Sequence, residues 1–288
     1  MKVFLTGADG FIGRHVAKEL KKKYQVMESM YGRGDYALDL SDYKNVIAVL
    51  QKTQPDAIIH CAGIVDKTEK ARLNVVFTDN LLRAIREVGL HLQKVIICGS
   101  AAEYGVVDSE SPISEEHTRQ PVGEYGVAKT AETDLALTSA QQEGSIVVVA
   151  RIFNPIGVGM SPGLLVPSLI RQLEAIENGV GNELVISRLD SKRDYIDVRD
   201  VASAFSALLD GNLQNAVYNI GRGKAVTNRE LVEMLLREKK MPAELSIVET
   251  EQKAEPLVAS CADISRIMED TGWQPKYDLQ NTIEEMTK

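Results

Sequence analysis

Lys2-Val3-Phe4-Leu5-Thr6-Gly7-Ala8-Asp9-Gly10-Phe11-Ile12-Gly13 is the stretch that decides the fold. A short apolar strand runs into three glycines spaced three apart, and a helical pattern follows from Phe11 to Lys22. In such a unit the first glycine permits the tight turn and the second lets the backbone approach a pyrophosphate. The third allows close helix–strand packing. The helix N-terminus then turns oriented N–H groups toward an anion. Gly7, Gly10 and Gly13, with Phe11 and Ile12 between them, are therefore candidate dinucleotide contacts. The spacing alone is weak evidence; its place directly after an N-terminal strand gives it weight.

The same alternation continues down the chain. Strands are predicted at Tyr24 to Met30, Tyr36 to Leu40, Ala57 to Cys61, Lys94 to Gly99 and Ile146 to Arg151. Helices are predicted at Val75 to Val88 and at Glu124 to about Gln141. Ser41 is placed to cap another that carries Val46, Ile47, Val49 and Leu50 on one side. Apolar strands separated by helices indicate an α/β protein with a doubly wound parallel sheet covered on both faces. Beyond Phe153 the pattern loosens, with Asn154-Pro155-Ile156-Gly157 and Pro162-Gly163 as breaks. A strand at Ala216 to Ile220 and helices at Arg229 to Lys239 and Ile264 to Glu269 follow. The expected organisation is a Rossmann domain over residues 1–155, rejoined by 190–220, and a smaller substrate-binding lobe from 156–189 and 221–288. The stripe Val201 to Leu209 and the segment Leu231 to Leu236 are expected in the core.

The 288 residues are 44% hydrophobic and 26% charged, which excludes a disordered or fibrous chain. With 33 basic against 41 acidic side chains the net charge is -8. That balance disfavours nucleic acid as a partner but allows one anionic ligand at a local basic site. No apolar run nears the ~18 residues of a membrane span, and because MKVFLTGADG reads straight into a strand, no secretory leader is expected. Cys61, Cys98 and Cys261 cannot all pair and read as core thiols. A soluble cytoplasmic protein is expected. His15, His60, His91 and His117 lack metal-ligand spacing, so no metal is expected, and His60 reads as the close of a strand.

A cofactor with a free ribose 2′-hydroxyl calls for an acidic residue ending the second strand. Glu28-Ser29-Met30-Tyr31-Gly32-Arg33 has Met30 at that position and Arg33 just after it, a better match for a 2′-phosphate. NADP is thus favoured over NAD. Arg14 is close enough in sequence to assist, whereas the plain alternative for Arg33 is a solvated loop residue. Asp39 and Leu40, leaving the third strand, either flank an adenine or, for Asp39, cap a helix.

Tyr125 and Lys129 are four apart on a predicted helix, so they share a face. An ammonium beside a phenol favours the phenolate and draws its acidity toward neutral pH, making Tyr125 a proton donor to a nascent alkoxide. Such a pair arises by chance about once in every two chains of this composition, so its context matters. Ser100 ends a predicted strand, where a sheet of this kind presents residues to its ligand crevice. It is either a hydrogen-bond donor to the reacting oxygen or a turn residue.

Thr6 to Gly13, His60-Cys61-Ala62-Gly63, Ser100-Ala101-Ala102-Glu103-Tyr104-Gly105, Tyr125 to Lys129 and Arg151 to Gly159 occur in that order. So do Arg193-Asp194-Tyr195-Ile196-Asp197-Val198-Arg199-Asp200, Val217-Tyr218-Asn219-Ile220-Gly221 and Thr271-Gly272-Trp273-Gln274-Pro275. With these motifs the chain resembles, nearly end to end, the extended short-chain dehydrogenase/reductases that act on nucleotide-sugars. Within them it is most similar to the GDP-6-deoxy-D-mannose reductases. The resemblance implies Ser100, Tyr125 and Lys129 as the catalytic set, with Lys129 also holding the nicotinamide ribose and Ala62 near the cofactor. It implies Arg193 and Asn154 as substrate-binding residues, Arg193 meeting a pyrophosphate with a fork suited to it. The plain alternatives are an ion pair of Arg193 with Asp194 or Asp197, and a turn role for Asn154. The helices Val75 to Val88 and Glu124 to Gln141 pair two subunits in this superfamily, so a homodimer is expected.

Departures from the family pattern matter too. The related 4,6-dehydratases carry acids in the two positions after the catalytic Ser or Thr; here Ala101 and Ala102 stand there and cannot shuttle protons. Glu103 comes one position late. The stretch between Gly63 and Asn74 is short, and Lys253 and Glu255 replace an Arg-Pro-x-Glu sequence. The function expected is NAD(P)H-dependent reduction of a nucleotide-linked 4-keto-6-deoxyhexose. The rivals are a 4-epimerase that retains NAD and a non-catalytic dinucleotide sensor.

Overall fold

The apolar runs of the first half assemble into one parallel sheet. A computed structural model describes residues 1–107, 111–143, 146–242, 245–250 and 259–288. Its elements begin with β1 (Lys2–Thr6), α1 (Phe11–Leu20), β2 (Gln25–Met30), β3 (Tyr36–Ala37), α2 (Tyr43–Thr53), β4 (Ala57–His60), α3 (Leu73–Val88) and β5 (Lys94–Ser100). They continue with α4 (Gly123–Glu143), β6 (Val147–Ile152), β7 (Pro155–Ile156), α5 (Leu165–Glu177), β8 (Glu183–Ile186), β9 (Lys192–Arg193), β10 (Ile196–Asp197) and α6 (Val198–Asp210). Last come β11 (Val217–Ile220), β12 (Val226–Thr227), α7 (Asn228–Glu238), β13 (Ser246–Glu249), β14 (Ala259–Ser260), α8 (Ser265–Thr271) and α9 (Leu279–Thr287).

The main sheet has the order β11-β6-β5-β4-β1-β2-β3, and every pairing in it is parallel. Both faces are covered, as continuous burial along β1, β4 and β6 requires. On one face α1 and α6 contribute Val16, Leu20, Phe205 and Leu208 to the core. On the other, α2, α3 and α4 contribute Val46, Leu50, Leu81, Ile85 and Ala136. This is the doubly wound Rossmann architecture expected from the strand–helix alternation.

Local chemistry moved two expected boundaries. The cap of α2 is Asp42, whose carboxylate accepts from the N–H groups of Lys44 and Asn45. Ser41 instead donates its N–H and hydroxyl to Asp39. The third strand stops at Ala37, because Asp39 and Ser41 already form that side-chain turn.

A separate apolar cluster unites α5, α7 and α9 with β8 through Val166, Leu169, Leu173, Leu184, Leu231, Leu235 and Ile283. The segment 221–288 divides between the two bodies. Ile267 of α8 and Trp273 pack into the core of the main sheet, while Leu279 and Ile283 join the smaller cluster. Among the described residues no helix is long and apolar enough to cross a membrane.

Gly13 locks α1 onto β1: a Cβ added there would lie 1.9 Å from the Gly7 carbonyl oxygen. Backbone cannot yield as a flexible side chain does, so Gly13→Ala is expected to cost roughly 1–3 kcal/mol. Urea unfolding checks this, and an unchanged midpoint would contradict the packing described.

Candidate active site

The strand order turns back at β1, which lies between β2 and β4. Sheets of this type open a ligand crevice beyond the carboxyl ends of the strands at that point. Gly7 sits there with φ +66°, and a Cβ on it would stand 2.6 Å from the Ala62 backbone. Thr6 joins the strand ends: its hydroxyl shares a 2.7 Å hydrogen bond with His60 Nδ1 and accepts the Ala62 N–H at 3.2 Å. Burial, followed by the nearby Lys129 charge, pushes the His60 pKa down to about 3, so its imidazole is neutral.

A cleft of about 470 Å³ opens on this edge, lined among others by Gly7, Gly10, Ser29, Met30, Asp39, Leu40 and Ala62. The Ser29 hydroxyl is buried there with no hydrogen-bond partner among the described residues. A glycine cradle that no side chain could share, a helix N-terminus at Gly10 and an unpartnered hydroxyl fit the adenosine half of a dinucleotide. Phe11 begins α1 at the cleft's edge, whereas the Ile12 side chain turns into the core. Arg33 stands at the rim, two-thirds exposed and paired with Asp9 at 2.5 Å. Arg14 does not join it. Its guanidinium donates to the carbonyls of Val158 and Gly159 at 3.1 and 2.7 Å and lies over the Phe11 ring. Asp39 lines the cleft while accepting from Ser41, so its carboxylate shapes a turn rather than caps α2.

Ser100, Tyr125 and Lys129 meet at the end of β5 and the start of α4. The Ser100 hydroxyl and the Lys129 ammonium both lie close enough to the Tyr125 phenol to favour its ionised form. Ser100 also accepts the Ala102 N–H at 3.2 Å, capping a short 3₁₀ turn over Ala101–Glu103, so it has a turn role as well. Lys129 is only 6% exposed. Its Nζ donates to the Cys98 carbonyl oxygen at 2.6 Å and to the Glu132 carboxylate. Burial works against that ammonium, yet Glu132, Tyr125 and Cys98 together hold its pKa above the ordinary lysine value.

The Tyr125 phenol differs from the sequence expectation. Burial raises its pKa, and the pull of Lys129 and Ser100 does not reverse this, with Cys98 and Glu132 adding to the rise. In the free protein Tyr125 is a protonated phenol. Lys129's charge is answered by a carboxylate that spacing from Tyr125 did not reveal. Glu132 sits three residues past Lys129 on the buried side of α4, and a search for acids one turn from the lysine would have found it.

Glu103 points into the protein and away from the crevice. It is fully buried, accepts the Ser100 N–H at 3.1 Å and takes Arg151 Nε at 2.9 Å. Arg151 continues to the Tyr104 hydroxyl at 3.0 Å, which donates to Asn219 Oδ1 at 2.7 Å. Ala101 and Ala102 leave the positions beside Ser100 without a carboxylate. Asn154 donates to the Asp194 carbonyl at 3.1 Å, so it braces the strand end that carries Arg193. Neither of the alternative ion pairs of Arg193, with Asp194 or with Asp197, forms. Asp194 accepts from the N–H groups of Arg222, Gly223 and Ala262, and Asp197 is taken by Arg199 and Thr282. Lys253 and Glu255 lie outside the described residues.

A parallel sheet with a glycine cradle and a Ser–Tyr–Lys cluster at its crevice defines a dinucleotide-binding enzyme of the extended short-chain dehydrogenase/reductase type. The chain belongs to the NAD dependent epimerase/dehydratase family, whose model matches residues 3–221. It is 30% identical to the GDP-6-deoxy-D-mannose reductase of Pseudomonas aeruginosa, over 98% of this chain and 94% of that one. It is 26% identical to the GDP-6-deoxy-D-talose 4-dehydrogenase of Aggregatibacter actinomycetemcomitans, over 94% and 88%. Among solved structures, RMD from Pseudomonas aeruginosa complexed with NADPH superposes with a TM-score of 0.87 at 30% identity, covering 99% of this chain and 96% of that one.

Removing one partner of a buried ion pair leaves the other charge without compensation. Glu103→Ala, which strands the Arg151 guanidinium, is expected to destabilise the fold by about 3–5 kcal/mol. A loss below about 1 kcal/mol in denaturant unfolding would show the pair to be dispensable.

Proposed function

We propose that this enzyme reduces the 4-keto group of a nucleotide-linked 4-keto-6-deoxyhexose, with NADPH preferred over NADH. The observation that carries the reading is the gathering of Ser100, the buried Tyr125 phenol and the buried Lys129 ammonium where β5 ends and α4 begins. Likeness to a GDP-6-deoxy-D-mannose reductase over nearly the whole chain supports the substrate class.

The bound dinucleotide supplies the hydride. Gly7, Gly10, Gly13 and the first N–H groups of α1, at Phe11 and Ile12, hold its pyrophosphate. Asp39, Leu40 and Ala62 flank the adenosine, and Arg33 meets the 2′-phosphate. Tyr125, protonated because it is buried, donates its phenolic proton to the sugar oxygen as negative charge gathers there. Ser100 donates a hydrogen bond to the same oxygen and fixes it. Lys129 stabilises the phenolate left behind and holds the nicotinamide ribose. Arg193, whose neighbouring carboxylates are already engaged, is available to the substrate diphosphate, with Asn154 bracing that wall. Ala101 and Ala102 provide no acid or base for water loss, which separates this site from a dehydratase.

The family shares its triad with 4-epimerases that retain NAD. Met30 at the end of β2 and Arg33 beside it favour the phosphorylated, exchangeable cofactor instead. A mere dinucleotide sensor has no use for the three assembled catalytic groups. Val76 on α3 and Val127 on α4 are exposed on helices that pack against each other, which supports a homodimer through this face. Unpaired cysteines agree with a cytoplasmic setting.

Tyr125→Phe is expected to lower kcat by roughly 10²-fold or more while NADPH affinity, read by fluorescence titration, stays within about twofold. Retained turnover would refute the assignment. Arg33→Ala is expected to weaken NADPH binding about tenfold and leave NADH unchanged, as loss of a hydrogen bond to a charged group implies. Equal effects on both cofactors would overturn the 2′-phosphate contact.

A further inference from the structure

We propose that Glu132 is a positioning residue for catalysis: its carboxylate is the counter-ion that keeps the Lys129 ammonium charged and fixed beneath the Tyr125 phenol. The inference rests on the reading of Tyr125 and Lys129 as the catalytic pair. It adds a residue that chain's catalytic motif does not include.

Three observations carry it. Glu132 is 2% exposed and lies three residues after Lys129, so the two side chains meet along one face of α4. One carboxylate oxygen takes the Lys129 ammonium, and the other accepts the Thr78 hydroxyl of α3 at 2.8 Å. The Lys129 Nζ has a second fixed acceptor, the Cys98 carbonyl at 2.6 Å. With two of its three N–H donors committed to rigid partners, the ammonium cannot swing toward solvent. An isolated ammonium buried this deeply would shed its proton; a paired one keeps it.

Among the described residues, the charged or titratable groups facing this cluster come from four elements. From β4 comes His60, neutral, and just after it the Cys61 thiol, whose pKa the neighbouring Cys98 and burial raise. From β5 comes the Cys98 thiol, and from the 3₁₀ turn Glu103, which Arg151 already neutralises. From α3 comes the uncharged Thr78, and α4 itself supplies Tyr125. Among the described residues Glu132 is therefore the carboxylate in direct contact with Lys129. Removing its negative charge makes the first proton of the Tyr125–Lys129 pair easier to lose, whether it leaves from oxygen or from nitrogen. The reaction in the reducing direction needs both protons in place, so its alkaline limb must move to lower pH.

The test is the pH dependence of kcat/KM for sugar reduction in the wild type, Glu132→Gln and Glu132→Asp. Glu132→Gln is expected to shift the alkaline limb down by about one pH unit or more, with the rate recovering toward the wild-type value at lower pH. Glu132→Asp keeps the charge one methylene further away and is expected to shift the limb the same way by less. It serves also if the glutamine variant fails to fold. A rate lowered evenly at every pH with the limb unmoved in both variants would mean that Glu132 only supports the fold, and would overturn the proposal. A second readout needs no substrate. Tyrosinate absorbance, taken as the difference from Tyr125→Phe, and ¹³C NMR of the Lys129 ε-carbon together follow the pair's first deprotonation in the free protein. That event is expected at lower pH in Glu132→Gln; an unchanged titration overturns the proposal. Absent turnover in the wild type would instead count against the proposed reaction, and the titration would still decide the role of Glu132.

Discussion

An ammonium group withdrawn from water, held by a peptide oxygen on one strand and a carboxylate on its own helix, is the constraint around which this site is arranged. Placing Lys129 at 6% exposure requires acceptors of fixed position, and the sheet supplies one through the Cys98 carbonyl. Glu132 supplies the other and is itself pinned across the α3–α4 interface by Thr78. Helix packing and active-site electrostatics are consequently one problem here. A change at the buried seam of α3 and α4 reaches the phenol without touching it.

The second half of the design is separation of roles among carboxylates. Glu103 is spent on Arg151 and on the backbone N–H of Ser100, which holds the turn after β5 while keeping a proton acceptor out of the crevice. Asp194 and Asp197 close backbone and arginine contacts at the base of the smaller lobe, leaving Arg193 unpaired with either. A chain of net charge -8 can thus still present cationic groups where an anionic ligand would approach.

Much of the scaffold was legible in the sequence because glycine geometry and uninterrupted apolar strands leave few alternatives. The Gly7–Gly13 turn and the positions of β1, β4, β5 and β6 came out within a residue or two of the structure. Short-range side-chain competition was less legible. Asp42 rather than Ser41 caps α2, and Arg14 turns to the carbonyls of Val158 and Gly159, partners more than a hundred residues away in the chain. The spacing of Tyr125 and Lys129 placed both on one face. It could not weigh burial against charge, and burial wins at the phenol. Nor could spacing show that α8 would return to the main core through Ile267 and Trp273.

The central claim is that a phenol, a hydroxyl and a buried ammonium assist hydride delivery to a sugar carbonyl carbon. Its most direct test is reduction of a nucleotide-linked 4-keto-6-deoxyhexose with NADPH deuterated at the transferring position, followed by NMR of the product. The account predicts deuterium at sugar carbon 4 and stoichiometric consumption of the cofactor. Product that carries no deuterium there, or that forms without net cofactor oxidation, would contradict it.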